Sequence, residues 1–125
     1  MSEPDIAQER IAQVAQDYFD GMFYGDEAKL QRAFHADAFI IGHFEGELEW
    51  SSLSAFIDLC IAESTMAAGE SYEARIESID ITGDSAVAKV INLYLGIWFT
   101  DYLSMLERDG RWQIINKLYF AHPQE

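Results

Sequence analysis

The chain has 125 residues, of which half are apolar and 14% aromatic, and this composition predicts one folded domain over 1–125 rather than a disordered segment. It carries 22 acidic and 8 basic residues, a formal net charge of -14. Such a surface repels phosphate backbones and anionic lipid headgroups, which excludes nucleic acid and membrane surfaces as partners.

A single cysteine, Cys60, excludes an internal disulfide and fits a reducing compartment. It lies in an apolar helical stripe, which favours a small buried core residue over a catalytic thiol. No apolar run approaches the ~18 residues of a membrane span, and no signal-peptide core follows the acidic N-terminus. We therefore expect a cytoplasmic protein.

Two helices are predicted at the start of the chain. Apolar residues at three- and four-residue spacing indicate a first helix that Asp5 can cap and that Gly25 ends. Asp26 is a suitable N-cap for a short second helix that reaches about Phe34.

One strand and a third helix follow. Residues 38–44 predict a short strand, and an acidic turn region comes after it. Trp50 leads into the third helix, which Ser51 or Ser52 can cap and which ends near Gly69.

The apolar period then changes from about 3.6 to 2 residues, which predicts strands. The run 72–81 slips in phase at Ser78, which indicates a β-bulge, and 83–84 turns the chain into a strand over 86–95. Alternating aromatic and β-branched residues flank Asp-Gly at 109–110, the strongest short-range hairpin signal that a sequence offers.

This order of elements predicts an α+β domain in which three N-terminal helices pack on a strongly curved, mainly antiparallel sheet. The sheet and helices form a cone with an interior cavity. Several strands are apolar on both faces, although a sheet with one solvated face needs only one apolar face. The second apolar face predicts a homodimer in which sheet packs on sheet.

Five stretches carry a family resemblance: YFDGMFYGD at 18–26, FHADA at 34–38, FTDYLS at 99–104, DGRW at 109–112 and INK at 115–117. Together they resemble the nuclear transport factor 2-like (NTF2-like) superfamily. Its cystatin-like cone fold is shared by ketosteroid isomerases and SnoaL-like polyketide cyclases. The subgroup that the chain resembles most is labelled putative lumazine-binding, and the resemblance implies a pocket for a small apolar or planar ligand.

The resemblance also implies a negative result. In an overlay on a ketosteroid isomerase from Phe34 onward without a gap, the position of the carboxylate base falls on Gly42. The position of the protonated acid that donates a hydrogen bond falls on Tyr102. Steroid isomerisation by that mechanism is therefore not expected.

Two residues are candidates for catalysis. Tyr102, if its phenol points into an apolar cavity, can donate a hydrogen bond to a carbonyl or a developing enolate. His43, at the end of the first strand, can act as a general base because an imidazole titrates near neutral pH. The alternative for each is a structural role in the core.

The position of Lys117 depends on the register of the closing hairpin. A two-residue type I′ turn at 109–110 places Lys117 opposite Tyr102, as a cation in the cavity that can bind an anionic or carbonyl ligand. A three-residue loop shifts the register by one, so that Asn116 faces Tyr102 and Lys117 pairs with Asp101 on the outer face.

Flat aromatic side chains are candidates for the pocket wall, with plain core packing as the alternative. They are Tyr18, Trp50, Trp98 and Tyr119. A histidine and three glutamates within 43–49 match no standard metal spacing, and a solvated acidic loop is the simpler interpretation. We expect neither a metal nor a cofactor.

Three functions compete. The first is a small-molecule-binding domain with an apolar, aromatic-lined pocket. The second is an isomerase, dehydratase or cyclase that uses His43 as the base and Tyr102, with Lys117, to stabilise an enolate. The third is a dimeric interaction module whose cavity is filled by its own side chains. Whether the chain is an enzyme stays open at this point.

Overall fold

The computed structural model describes residues 2–64, 66–67 and 69–124. In chain order the elements are α1 (Glu3–Tyr24), α2 (Glu27–Ala33), β1 (Phe34–Phe44), β2 (Glu47–Ser52), α3 (Leu53–Glu63), β3 (Ala74–Thr82), β4 (Ser85–Tyr94), β5 (Ile97–Arg108) and β6 (Arg111–Ala121). Three helices pack on one curved, unclosed sheet, which confirms the predicted α+β class. None of the helices in the described part of the chain combines the length and apolar character that crossing a membrane requires.

Local signals set the ends of the helices. Ser2, rather than Asp5, caps α1, and Gly25 ends that helix in the left-handed conformation with φ of 65°. Asp26 caps α2 as predicted, and Ser52 caps α3. The third helix ends at its eleventh residue, before the predicted glycine.

The six strands have the order β2-β1-β6-β5-β4-β3. All neighbours are antiparallel except β1 and β6, which pair in parallel. Strand β2 was not predicted: the acidic turn region and Trp50 form an edge strand that pairs with β1. Its sequence gives a weak signal because one side lies at the rim of a cavity and the other is exposed, so it lacks a buried apolar face.

The bulge predicted near Ser78 is confirmed by a register shift between Ile76 and Ser78. A second shift, in the closing hairpin, was not predicted. Its two-residue turn has positive φ at both positions, as a type I′ turn requires. Further along, Met105 pairs with Ile114 but Ser104 pairs with Asn116.

Ile115 is therefore an extra residue in β6, and it moves every later pairing by one. Tyr102 pairs with Leu118, and Lys117 pairs with Leu103. Both predicted registers, with Lys117 or Asn116 opposite Tyr102, are wrong for this reason.

The apolar core lies between the helices and the concave face of the sheet, toward the β5–β6 turn. Its fully buried members include Ile11, Leu30, Phe34, Ala88, Leu103 and Ile114. Toward the opposite end, near the β4–β5 turn, this packing gives way to a cavity.

Candidate functional site

A cavity of about 450 Å³ lies between α1, α3 and the concave face of the sheet. Most of its wall is apolar, formed by Met22, Ile40, Phe44, Leu48, Phe56, Leu59, Leu95, Ile97 and Phe99. The rings of Phe44 and Phe99 are nearly parallel, with centroids 6.2 Å apart. The polar members of the wall are Glu47, Glu49, Glu63, Asn92, Tyr94, Lys117 and Tyr119. An apolar cavity of this size with few polar groups is typical of a small-molecule site.

Lys117 brings an ammonium group into this apolar wall. The residue is only 6% exposed, and its Nζ lies 4.4 Å from the ring centroid of Phe56, 5.2 Å from that of Tyr18 and 5.5 Å from that of Tyr119. It forms no hydrogen bond or ion pair with any residue that the structure describes. The faces of three rings stabilise its charge, while its N–H donors stay available to a ligand.

Asp101, on β5, is fully buried next to the cavity. Its Oδ2 accepts hydrogen bonds from Tyr18 Oη at 2.6 Å and from Asn92 Nδ2 at 2.8 Å. Burial, and after it the adjacent carboxylate, raises the pKa of Tyr18 well above its usual value, so the phenol stays protonated and donates. Asp101 Oδ1 is buried and finds no partner within the described ranges.

Tyr119 and Glu49 form a second polar pair in the wall. Tyr119 Oη donates to Glu49 Oε1 at 2.6 Å, and Ser51 Oγ donates to Oε2 at 2.8 Å. Burial and this hydrogen bond raise the pKa of Tyr119 above its usual range. Tyr119 also packs directly against Gly42: a Cβ atom at position 42 would lie 2.7 Å from the Tyr119 carbonyl oxygen. Gly42 and Glu49 are register partners, so a carboxylate lies one strand away from the residue that the isomerase overlay leaves empty.

Residues 7–120 match the family model described as Putative lumazine-binding. The chain belongs to this family. The predicted membership of the NTF2-like superfamily is thereby confirmed, and the cystatin-like fold with it.

Individual relatives show different degrees of similarity. Aldolase FrzH from Cladobotryum sp. is 27% identical over 110 residues, which are 86% of this chain and 85% of FrzH. The crystal structure of an NTF2-like protein of unknown function from Silicibacter pomeroyi DSS-3 has a TM-score of 0.91 at 32% identity, and the match covers 98% of this chain and all of that one. A putative ketosteroid isomerase from Shewanella frigidimarina NCIMB 400 has a TM-score of 0.64 at 21% identity, over 89% of this chain and 94% of its own, and shares the fold.

In this chain, three of the eight predicted site residues come together. Lys117 and Tyr119 line the cavity, and the buried Tyr18 contacts the lysine with its ring. Lys117 faces inward, as its buried strand partner Leu103 does, because the extra residue in β6 changes which later positions point into the cavity.

His43 and Tyr102 do not face the cavity. Tyr102 is 41% exposed between two buried residues of β5, Asp101 and Leu103, so the alternation of the strand puts it on the outer face. His43 is exposed and follows the buried Gly42 on β1, so it also lies on the outer face. The roles of base and oxyanion donor therefore do not fit these two residues.

Trp50, Trp98 and Asn116 also lie away from the cavity. Trp50 is 64% exposed, and its ring lies on the outer face near that of Phe39. Trp98 stands between two strand neighbours that line the cavity, and Asn116 precedes the inward Lys117, so both point outward. Aromatic character alone did not show which face of a strand each residue would occupy.

Four polar residues at or next to the cavity were not predicted as site residues: Glu49, Asn92, Tyr94 and Asp101. One signal was available, because Asn92 interrupts a strand that is apolar on both faces, and a buried amide needs a partner. Across the described ranges, no three or more His, Cys, Asp or Glu residues are grouped so that they could hold a metal ion.

Proposed function

We propose that the cavity binds a small, mostly apolar carbonyl compound whose oxygen lies against Lys117. The observation that carries this proposal is the ammonium group itself. A buried charge is costly unless it is paired or hydrogen-bonded, and the faces of aromatic rings supply only part of the stabilisation that water would give it. A ligand oxygen that accepts a hydrogen bond from Nζ gives the ammonium group the partner that it lacks among the described residues.

The charge of the wall supports a neutral carbonyl group over an anionic one. The lining residues include three carboxylates, Glu47, Glu49 and Glu63, against one ammonium. A ligand that carries its own negative charge would be repelled by this excess. The parallel rings of Phe44 and Phe99 favour a flat molecule.

The test uses ligand-observed NMR with a panel of small aryl and cyclic ketones, 1-tetralone among them. We expect binding to the wild type and a loss of affinity of about tenfold or more in Lys117→Met, because a hydrogen bond to a charged donor is lost. Lys89→Met is the matched control, since Lys89 lies on the outer face beside Tyr102. The proposal fails if no ketone binds the wild type, or if Lys117→Met binds as well as the wild type does.

A second candidate is an aldol-type reaction of the bound carbonyl compound. Glu49 opens on the same cavity as Lys117, and the relative from Cladobotryum is described as an aldolase. In this reaction Glu49 accepts the proton from the carbon next to the carbonyl, and the cation of Lys117 stabilises the enolate oxygen. Exchange of that proton for deuterium, fast in the wild type and slow in Glu49→Gln, would support it.

The open space between the side chains supports ligand binding over the alternative of a filled cavity. The expected homodimer remains a proposal. We propose that two copies pack through an outer apolar patch on the convex face of the sheet, formed by Phe39, Trp98, Tyr102, Ile115, Leu118 and Phe120, each at least 39% exposed. These six side chains carry no carboxylate, so this face avoids the repulsion between two chains of charge -14.

A further inference from the structure

We propose that Lys117 binds its carbonyl ligand covalently, as an iminium. This inference rests on the proposed function, because it requires a ketone or aldehyde in the cavity. It adds a chemical step that hydrogen bonding alone would not provide.

The surroundings of Lys117 distinguish it from the other two lysines of the chain. Lys29 forms an ion pair with Asp20 at 3.0 Å, and Lys89 lies on the outer face with its Nζ 5.9 Å from the ring centroid of Tyr102. Lys117 is almost fully buried, opens on the cavity and has no carboxylate partner among the residues described. Lysines that form imines lie in such desolvated, apolar surroundings.

The three aromatic rings do not oppose this reaction, because it leaves the charge in place. An ammonium and an iminium each carry one positive charge at the same nitrogen. The rings of Phe56, Tyr18 and Tyr119, with centroids 4.4 to 5.5 Å from Nζ, therefore stabilise the product as they stabilise the free lysine. The apolar wall limits the access of water that would hydrolyse the adduct.

The atoms of the step balance without an oxidant or reductant. Nζ gives one proton to Glu49 and attacks the carbonyl carbon, so that a C–N bond forms and the π electron pair moves to oxygen. A second proton passes from nitrogen to that oxygen, which gives a carbinolamine. The oxygen then takes the proton back from Glu49 and leaves as water while the nitrogen lone pair forms the C=N bond. The net reaction is ammonium plus ketone to iminium plus water.

Glu49 can hold the proton that Nζ releases because its carboxylate lines the same cavity as Lys117. Tyr119 Oη donates to one of its oxygens, and Lys117 Nζ lies 5.5 Å from the ring centroid of the same tyrosine. The raised pKa of Tyr119 keeps that phenol protonated, so Glu49 is the group of this pair that can accept.

The experiment is reductive trapping. Wild-type protein is incubated with 1-tetralone, or with the ketone of the NMR panel that binds best, and then with sodium cyanoborohydride, which reduces the iminium to a stable amine. Intact mass spectrometry measures the adduct, and digestion locates it on one of the three lysines. We expect the modification of Lys117 to exceed that of Lys29 and Lys89 by about tenfold or more.

Variants separate covalent from non-covalent binding. Lys117→Arg keeps the positive charge and the hydrogen-bond donors but is not a nucleophile at neutral pH. It is expected to bind the ketone and to give no adduct at position 117, whereas Lys89→Arg labels as the wild type does. Circular dichroism checks that each variant is folded, and the comparison among three lysines of the wild type needs no variant at all.

Each result is decisive. A ketone that binds in a manner dependent on Lys117 but leaves no trapped adduct overturns the iminium and leaves the proposed function standing. Equal labelling of the three lysines overturns the iminium as well. If no ketone binds, both proposals fail.

Discussion

Gly42 controls the arrangement of the cavity by having no side chain. Tyr119 passes so close that a Cβ atom at position 42 would collide with its carbonyl oxygen and ring. Because this space is free, the ring of Tyr119 can lie in the wall and hold Glu49 with its hydroxyl group. Because Gly42 has no side chain, Tyr119 can hold the carboxylate of Glu49, on the neighbouring strand, in the wall of the cavity.

Cys60 provides a prediction on pH. Burial raises the pKa of its thiol to about 11, although the nearby positive charge of Lys117 acts against this shift. Between the ordinary value of 9.0 and 11, the unfolded chain loses the thiol proton while the folded chain keeps it. The contribution of this group to stability is therefore complete below pH 9.0 and decreases as the pH rises, by up to about 1.4 kcal/mol per pH unit.

The measurement is urea unfolding of the wild type and of Cys60→Ala at pH values on both sides of 9.0. Other groups also titrate in this range, but they are common to both proteins. We expect the free energy of unfolding to fall less steeply with pH in Cys60→Ala. Parallel pH profiles would show that the thiol loses its proton as easily in the folded chain as in the unfolded one.

At the scale of elements, helices and the closing turn were predictable because their signals are local. Asp26 as a cap and Gly25 as a stop act on the residues next to them. The type I′ turn likewise depends on two residues with positive φ, at 109–110.

The bulge at Ile115 was not predictable in this way. Nothing in the run Ile114-Ile115-Asn116 marks an extra residue, because the bulge belongs to a strand that pairs with β5 on one side and β1 on the other. It nevertheless decides which later residues of β6 face the cavity. Lys117 faces the cavity, as in one of the two predicted registers, but its strand partner is Leu103 and not Tyr102.

The cap of α3 gives a prediction about this element. Ser52 Oγ accepts a hydrogen bond from the backbone N–H of Ala55 at 3.2 Å. Ser52→Ala removes the cap of the helix that contributes Phe56 and Leu59 to the cavity wall, and we expect a loss of about 1 kcal/mol of unfolding free energy. Ser54→Ala is the control, because Ser54 is exposed in the first turn and alanine suits a helix at least as well.

Both variants are compared with the wild type by urea unfolding. A cap at Ser52 requires that Ser52→Ala be the less stable of the two. If Ser54→Ala lowers the free energy of unfolding as much as Ser52→Ala or more, the hydrogen bond of Ser52 does not stabilise the start of α3.

At the scale of the whole molecule, charge and apolar surface are separated. The chain has a net charge of -14, whereas the outer apolar patch consists of uncharged side chains on β1, β5 and β6. A molecule of this charge stays apart from its copies unless an uncharged surface is available. The proposed dimer follows from this separation.

Leu118→Glu tests the dimer, because it puts a carboxylate in the middle of the patch, where Leu118 pairs with Tyr102. Light scattering is expected to give twice 14.2 kDa for the wild type and 14.2 kDa for the variant. Ile61→Glu changes a similarly exposed residue on α3, outside the patch, and should remain dimeric. A monomeric wild type, or equal masses for all three proteins, would contradict the proposal.

The parallel pairing of β1 with β6 joins strands from opposite ends of the chain. During synthesis, α1, α2, β1, β2 and α3 leave the ribosome long before β6, which carries both Lys117 and Tyr119. A nascent chain that stops before β6 can collapse around its apolar residues, but it lacks Lys117 and Tyr119, so its cavity is incomplete. Such long-range pairing is also the slow part of folding. The proposed ligand binding at Lys117 is therefore available only to a chain that has been translated through β6 and has folded around it.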